Sequence, residues 1–214
     1  MADVFKTEVS GLSESDVTPY FSTNCVNENI LDLNKIIKIP NSTYAVEKDL
    51  CITNGEFEWI CKNWGCSSNV FHLNCEDNKI VFSTLGGSPI LVLKKLSKVL
   101  NKSITVKYAS ESPGESTGLY RIENGVVTSE YIPKNFTNES MDIYMYLFED
   151  YEYYYQDDDG NWHEKTEEDY EEDWDSESDD YEEYSSYDDD YDSDYDTDED
   201  LDSLGFTETV DMYN

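Results

Sequence analysis

SPILVLKKLSKVL, residues 88–100, decides how the rest of the chain is read. Ser88 and Pro89 make a helix start, as N-cap and first helical residue. Ile90, Leu93, Leu96, Val99 and Leu100 then recur at helical spacing, with Lys94, Lys95 and Lys98 mostly outside that stripe. This helix lies between two groups of strands. Before it, the aromatic and β-branched run Phe57–Cys61 predicts a strand, and Val70–Leu73 with Lys79–Ser83 predicts a hairpin across Glu76-Asp77-Asn78. After it, Ile104–Tyr108, Gly118–Ile122 and Val126–Ile132 predict three strands, the last two joined at Asn124-Gly125, a strong hairpin signal.

Further out, Val4–Val9 alternates as a strand does and is broken by Ser10-Gly11. Ser13 caps a short helix, with Glu14 and Asp16 in its first turn and Pro19 limiting its length. LDLNKIIKIP, residues 31–40, reads as buried but irregular, and MDIYMYLF, residues 141–148, fits a last strand or a helix. The order strand, helix, strands, helix, strands predicts an α+β fold, a ferredoxin-like antiparallel sheet with helices packed on one face.

Four stretches, in order, resemble the YubB ferredoxin-like domain family. LDLNKIIKIP is similar to its asparagine-lysine-isoleucine-isoleucine-proline segment, and KNWGCSSN (62–69) to its Asn-Trp-Gly-Thr stretch. FSTLGGSPI (82–90) resembles its Thr-Ala-Trp-Ser-Pro-Pro helix start, and SESPGESTGLYRIENG (110–125) its Glu-Pro-Gly turn and hairpin. Cys66 stands where Thr is usual, Gly86 or Gly87 where Trp is usual, and Ile90 where the second Pro is usual. The resemblance covers most of residues 1–134. It implies a ferredoxin-like fold and an origin in a phage, virus or other mobile element, and no catalytic residues.

The charge lies elsewhere. Before Glu149, 13 Lys/Arg stand against 18 Asp/Glu, a net −5; from Glu149 to Asn214, 31 of 66 residues are acidic and Lys165 alone is basic, a net −30. Such a segment gathers too little apolar surface to offset roughly 1 to 2 kcal/mol of backbone entropy per residue. The expected organisation is therefore a ferredoxin-like domain over residues 1–134, a connector over 135–150 and a disordered Asp/Glu/Tyr-rich tail over 151–214. Eleven Tyr residues interrupt the acids. Among them Tyr151, Tyr155, Tyr170, Tyr181, Tyr187, Tyr191 and Tyr195, with Asp157, are candidate partner-binding residues.

Neither a signal peptide nor a membrane span is evident, so an intracellular protein, in the cytoplasm or nucleus of a host and not secreted, is expected. A reducing compartment makes the five cysteines free thiols by default. Cys61, Cys66, His72 and Cys75 have ligand types for zinc without the tight C-x2-C spacing, and thiols filling a core are the plainer reading. Gly86, Gly87 and Ser88 ahead of a helix could hold an anion, yet no phosphate-loop motif is present and an ordinary cap explains them. Trp59 and Trp64 suit core packing better than an exposed platform. Lys94, Lys95 and Lys98 could dock the chain's own tail.

With His72 the one histidine outside the acidic segment and no nucleophile elbow, no catalytic residue and no cofactor are expected. Direct nucleic-acid binding is disfavoured by the formal −35, and no membrane contact is expected. The reading is a non-enzymatic interaction module whose tyrosine-rich acidic tail binds a basic partner, a histone, ribosomal or nucleic-acid-binding protein, in its strict form as a DNA mimic. The alternative is a small-ligand or enzymatic domain centred on Gly86-Gly87-Ser88 with a regulatory tail. A solubilising bristle explains the acids and leaves the tyrosines unexplained.

Overall fold

A strand whose two faces meet different surroundings stands inside the main sheet. The computed structural model describes residues 3–24, 27–40, 54–167 and 169. In β1 (Val4–Ser10), Thr7 and Val9 are fully buried on one face, while Val4, Lys6 and Glu8 line a groove on the other. β1 lies antiparallel between β5 (Lys79–Leu85) and β6 (Ser103–Ser110), with Thr7 opposite Phe82 on one side and Tyr108 on the other.

The hairpin partner β4 (Phe71–Glu76) flanks β5, and β7 (Gly118–Glu123) and β8 (Val126–Tyr131) continue the sheet beyond β6. The six antiparallel strands run in the order β4-β5-β1-β6-β7-β8. Together with α3 (Asn54–Trp64) and α4 (Ile90–Leu100), the first four form the βαββαβ unit of a ferredoxin-like fold, and β7 and β8 extend its sheet. α1 (Glu14–Val17), β2 (Phe21–Thr23), β3 (Asn29–Leu31) and α2 (Leu33–Ile36) fill the connection from β1 to α3.

α3 and α4 cover one face, where Ile60, Trp64, Val92, Leu93 and Leu96 close over Val9, Ile80, Phe82, Val106 and Ile122. The run Phe57–Cys61 is thus helix and not strand. Ile60 and Trp64, four apart, are its buried positions, whereas Phe57 is 47 % exposed. Five residues are too short a window to separate a period of 3.6 from a period of 2, and β-branched and aromatic content outweighed the spacing. Trp64 is fully buried and its indole N–H donates to the Ile37 carbonyl at 2.8 Å, so its one polar atom is satisfied inside the core.

The opposite face carries a helix as well. α5 (Asn138–Phe148) starts in a capping box between Thr137 and Ser140 and packs Ile143, Tyr144, Met145 and Leu147 over Ala109 of β6. Its N-cap lies outside the 141–148 window, which is why the segment had no legible start. A short hairpin follows, β9 (Tyr154–Gln156) and β10 (Trp162–Glu164), whose Tyr154 and Trp162 pack on the α5 cluster. Trp162 Nε1 donates to Asp142 at 2.7 Å, and Asn138 Nδ2 donates to Asn161 Oδ1 at 2.7 Å.

The boundaries drawn at 134 and 150 therefore move. The connector is largely helix, and residues 151–167, expected as the start of a disordered tail, are folded. Averaging charge over the whole acidic run hid Tyr154 and Trp162, whose apolar area is enough to fasten a hairpin onto an existing helix. The compact unit extends to Tyr170. The tail expected beyond it lies outside the described residues.

Candidate functional site

The open half of the second face forms a groove of about 680 Å³. Its floor is made by alternate residues of three strands: Lys6 and Glu8 on β1, Val81 and Ser83 on β5, His72 and Asn74 on β4. The end of α5 and the turn after it, from Tyr146 to Tyr151, make the wall.

One ion cluster ties floor to wall. Glu8, 7 % exposed, accepts from Tyr146 Oη at 3.0 and 3.3 Å, and Lys79 Nζ stands 3.6 Å from it and 3.0 Å from Glu76. Lys107 Nζ lies 3.0 Å from the centroid of the Tyr146 ring. Burial lowers the Lys107 ammonium from lysine's ordinary value, against the pull of Glu8 and with the push of Lys79. Burial first, and then the bond to Glu8, raise the Tyr146 phenol. The Glu76 carboxylate raises Lys79. A buried carboxylate shared by a phenol and an ammonium is satisfied, and it fixes where α5 sits on the sheet.

Two other groups on the same floor are differently placed. Lys6 Nζ lies 5.6 Å from the Phe148 centroid, and His72 packs edge-on to Phe71 at 5.0 Å. His72 has φ +50°, at the irregularity between Phe71 and Asn74 where β4 is out of step with β5. Such a bulge re-aims a side chain relative to a regular strand.

The four zinc candidates are not brought together. Cys61 is exposed on α3, Cys66 is buried and Cys75 packs against the core, whereas His72 lines the groove on the other side of the sheet. Among the described residues, no three His, Cys, Asp or Glu side chains stand close enough to hold a metal. Burial pushes the Cys66 thiol up to about 12, and its S–H donates to the Ser68 carbonyl at 3.2 Å.

The Gly86-Gly87-Ser88 segment is filled by the protein itself. Gly86 N–H donates to the Asp3 carbonyl at 2.8 Å, and the buried Ser88 hydroxyl accepts from Thr7 Oγ1 at 3.0 Å. A Cβ on Gly87 would stand 2.4 Å from the Gly65 carbonyl oxygen, so the loop after α3 presses on this turn. Pro89, not Ser88, occupies the N-cap position of α4, and no side chain caps the helix. The Gly86 N–H is thus already engaged, and the segment serves as packing between the loop after α3 and the start of α4.

A second set of bonds lies beside this contact. Ser67 N and Oγ donate to the Leu85 carbonyl at 2.8 and 3.0 Å, and Leu85 N donates back to Ser68 Oγ at 2.9 Å. These bonds tie the loop after α3 to the end of β5, a packing role.

Of the candidate partner-binding residues, Tyr151 is 56 % exposed beside Trp162, and Tyr155 is 41 % exposed and stacks on His163 with centroids 5.4 Å apart. Asp157 is committed to its own turn. It accepts from Asn161 N at 2.7 Å, from Asp159 N at 3.0 Å and pairs with His163 Nε2 at 2.9 Å; the Asn161 backbone first and His163 second hold it at about 2. Tyr170, Tyr181, Tyr187, Tyr191 and Tyr195 lie outside the described residues. Trp59 packs partly against the core, as expected.

Of the groove residues, His72 and Tyr151 stand out in the sequence for other roles and the rest do not, although one signal is present. Lys6 and Glu8, two apart in a strand flanked by apolar residues, mark a charged face on what proves to be a central strand.

No family model matches the chain, and no curated protein matches it. Among solved structures it is similar to the protein api92 from Yersinia pseudotuberculosis, of the family described as DUF1281, at 17 % identity and a TM-score of 0.35, over 51 % of this chain and 43 % of that one. A likeness at that level carries no argument. No helix among the described residues is long and apolar enough to cross a membrane.

Proposed function

We propose that the chain is a non-enzymatic interaction protein of phage, virus or mobile-element type, a YubB-like body whose acidic, tyrosine-bearing arm binds a basic partner protein inside a host cell. One observation carries this reading. From Glu171 to Asn214, 21 of 44 residues are carboxylates, six are tyrosines and none is basic. The unit ending at Tyr170 holds all 14 Lys and Arg of the chain and a formal −14.

Carboxylates spaced along a chain steer a cationic surface from long range, and phenol rings between them give arginine a face to stack on. A histone, ribosomal or nucleic-acid-binding protein has that complementary chemistry, and displacement of DNA from such a protein is the strictest form of the activity. Two carboxylates of the folded unit with strongly lowered values, Asp16 and Asp157, serve a helix cap and a turn, which favours a scaffold role for the body.

The test separates arm from bristle at constant charge. Full-length protein is titrated with core histones beside a variant in which Tyr181, Tyr184, Tyr187, Tyr191 and Tyr195 are all Ser. Affinity is expected to fall about tenfold or more from the lost ring contacts. Equal affinity of the two proteins, or no binding by either, would sink the proposal.

A further inference from the structure

A second binding feature belongs to the folded unit and is independent of the arm. We propose that Lys6, Ser83 and His72 form a site for the anionic group of a small molecule, a phosphate or carboxylate whose apolar or aromatic body lies along Phe148 and Tyr151.

Several charges in the groove are already matched. Glu8 is satisfied by Tyr146 and Lys79, and Glu76 by Lys79 and by the Asn74 amide at 3.2 Å. Lys79 is held between two carboxylates, and Lys107 lies under a phenol ring with Glu8 acting on it. Three groups on the floor have no such match. Among the described residues Lys6 and His72 have no carboxylate partner, and the Ser83 hydroxyl makes no hydrogen bond.

Register brings the three together. Lys6 lies directly opposite Ser83 across β1 and β5, and Ser83 lies opposite Phe71, the neighbour of His72. Paired side chains on adjacent strands start about 4.5–5.5 Å apart, which holds for Lys6 and Ser83, and His72, out of register on the next strand, lines the same groove as both. The ammonium, the hydroxyl and a ring N–H would donate to its oxygens. The bulge that gives His72 its φ of +50° is the kind of local strain that persists where a side chain must point away from the regular direction.

Size and walls suggest the rest of the ligand. A volume of about 680 Å³ is within the range of small-molecule sites. Val4 and Val81 offer an apolar floor and Phe148 and Tyr151 an aromatic wall beside the three donors. Glu149 on the wall disfavours a crowded polyanion and is compatible with one anionic head directed at Lys6.

The experiment uses full-length protein labelled for amide spectroscopy and titrated separately with phenyl phosphate, benzoate, inorganic phosphate and arginine amide. Phenyl phosphate or benzoate is expected to bind more tightly than inorganic phosphate, with shifts confined to residues 4–8, 71–76, 79–85 and 146–151. The better of the two organic probes shows whether phosphate or carboxylate is preferred. Lys6→Gln is expected to weaken binding about tenfold or more, and Ser83→Ala several-fold, through loss of a charge-assisted and a neutral hydrogen bond respectively. Lys95→Gln, on the exposed side of α4, serves as a folded control with unchanged binding. The site is refuted by shifts elsewhere, by saturation with arginine amide in place of the anions, by no saturable binding of any anion at millimolar concentration, or by equal binding to Lys6→Gln with an unchanged melting temperature.

Discussion

The two faces of the six-stranded sheet come from the same strands and handle charge in opposite ways. Toward α3 and α4, alternate residues of β1, β5, β6 and β7 supply Val9, Ile80, Phe82, Val106 and Ile122, all buried under apolar helix side chains. Toward α5, the intervening residues include Lys6, Glu8, Lys79 and Lys107, only partly roofed, with a groove left open. The difference teaches that the larger core lies under α3 and α4, and that the other face, with the smaller α5 cluster, carries polar side chains in an ordered frame.

If that division is right, stability should be concentrated on the α3–α4 side. Trp64→Ala is expected to cost about 3–5 kcal/mol in denaturant unfolding, the range for truncating a large buried aromatic. Glu8→Ala should cost less, about 1–2 kcal/mol, because Lys79 keeps Glu76 and the half-exposed Tyr146 hydroxyl can turn to water. Equal losses for the two would break the comparison. Trp162→Ala tests whether the acid-rich hairpin is part of the fold. It removes the bond to Asp142 and a ring from the α5 cluster, with an expected loss of about 1 kcal/mol and faster amide exchange in residues 154–164.

The smallest effect belongs to the helix cap. Asp16 is held at about 2, below its ordinary 3.8, first by Lys102 at 2.6 Å and then by Ser13. A lowered folded value means the contribution is complete above the ordinary value and is lost as pH falls from about 4 to 2. Lys102→Met is expected to remove at most about 1 kcal/mol at neutral pH, since the pair is partly solvent-screened, and to flatten the acid limb between pH 4 and 2. An unchanged acid limb would show that the pair contributes nothing.

What was legible in the sequence follows the range of the signal. The hairpins at Asp77-Asn78 and Asn124-Gly125 and the helix Ile90–Leu100 carry their periods and turn residues locally, and all stand. In α5, Met141, Ile143, Tyr144, Met145, Leu147 and Phe148 are apolar almost without interruption, so no face was marked. The groove was least legible. Glu8 and Tyr146 meet across 138 residues of chain, and nothing local to either announces the other. The packing at Gly87 was no more legible, since the Gly65 carbonyl that presses on it is 22 residues away.

Locating the end of the compact unit also fixes where the chain should be cut. A chain ending at Phe148 would lose Tyr154 and Trp162 from the α5 cluster and confuse instability with loss of binding; one ending at Tyr170 keeps them. The most direct measurement is therefore a titration of core histones into full-length protein and into the chain ending at Tyr170, at low and high ionic strength, with the melting temperature of each recorded. Saturable, salt-weakened binding by the full-length chain and none by the shorter one, at equal melting temperatures, is the expected result. Equal binding by the two chains would contradict the assignment of the binding activity to the acidic arm.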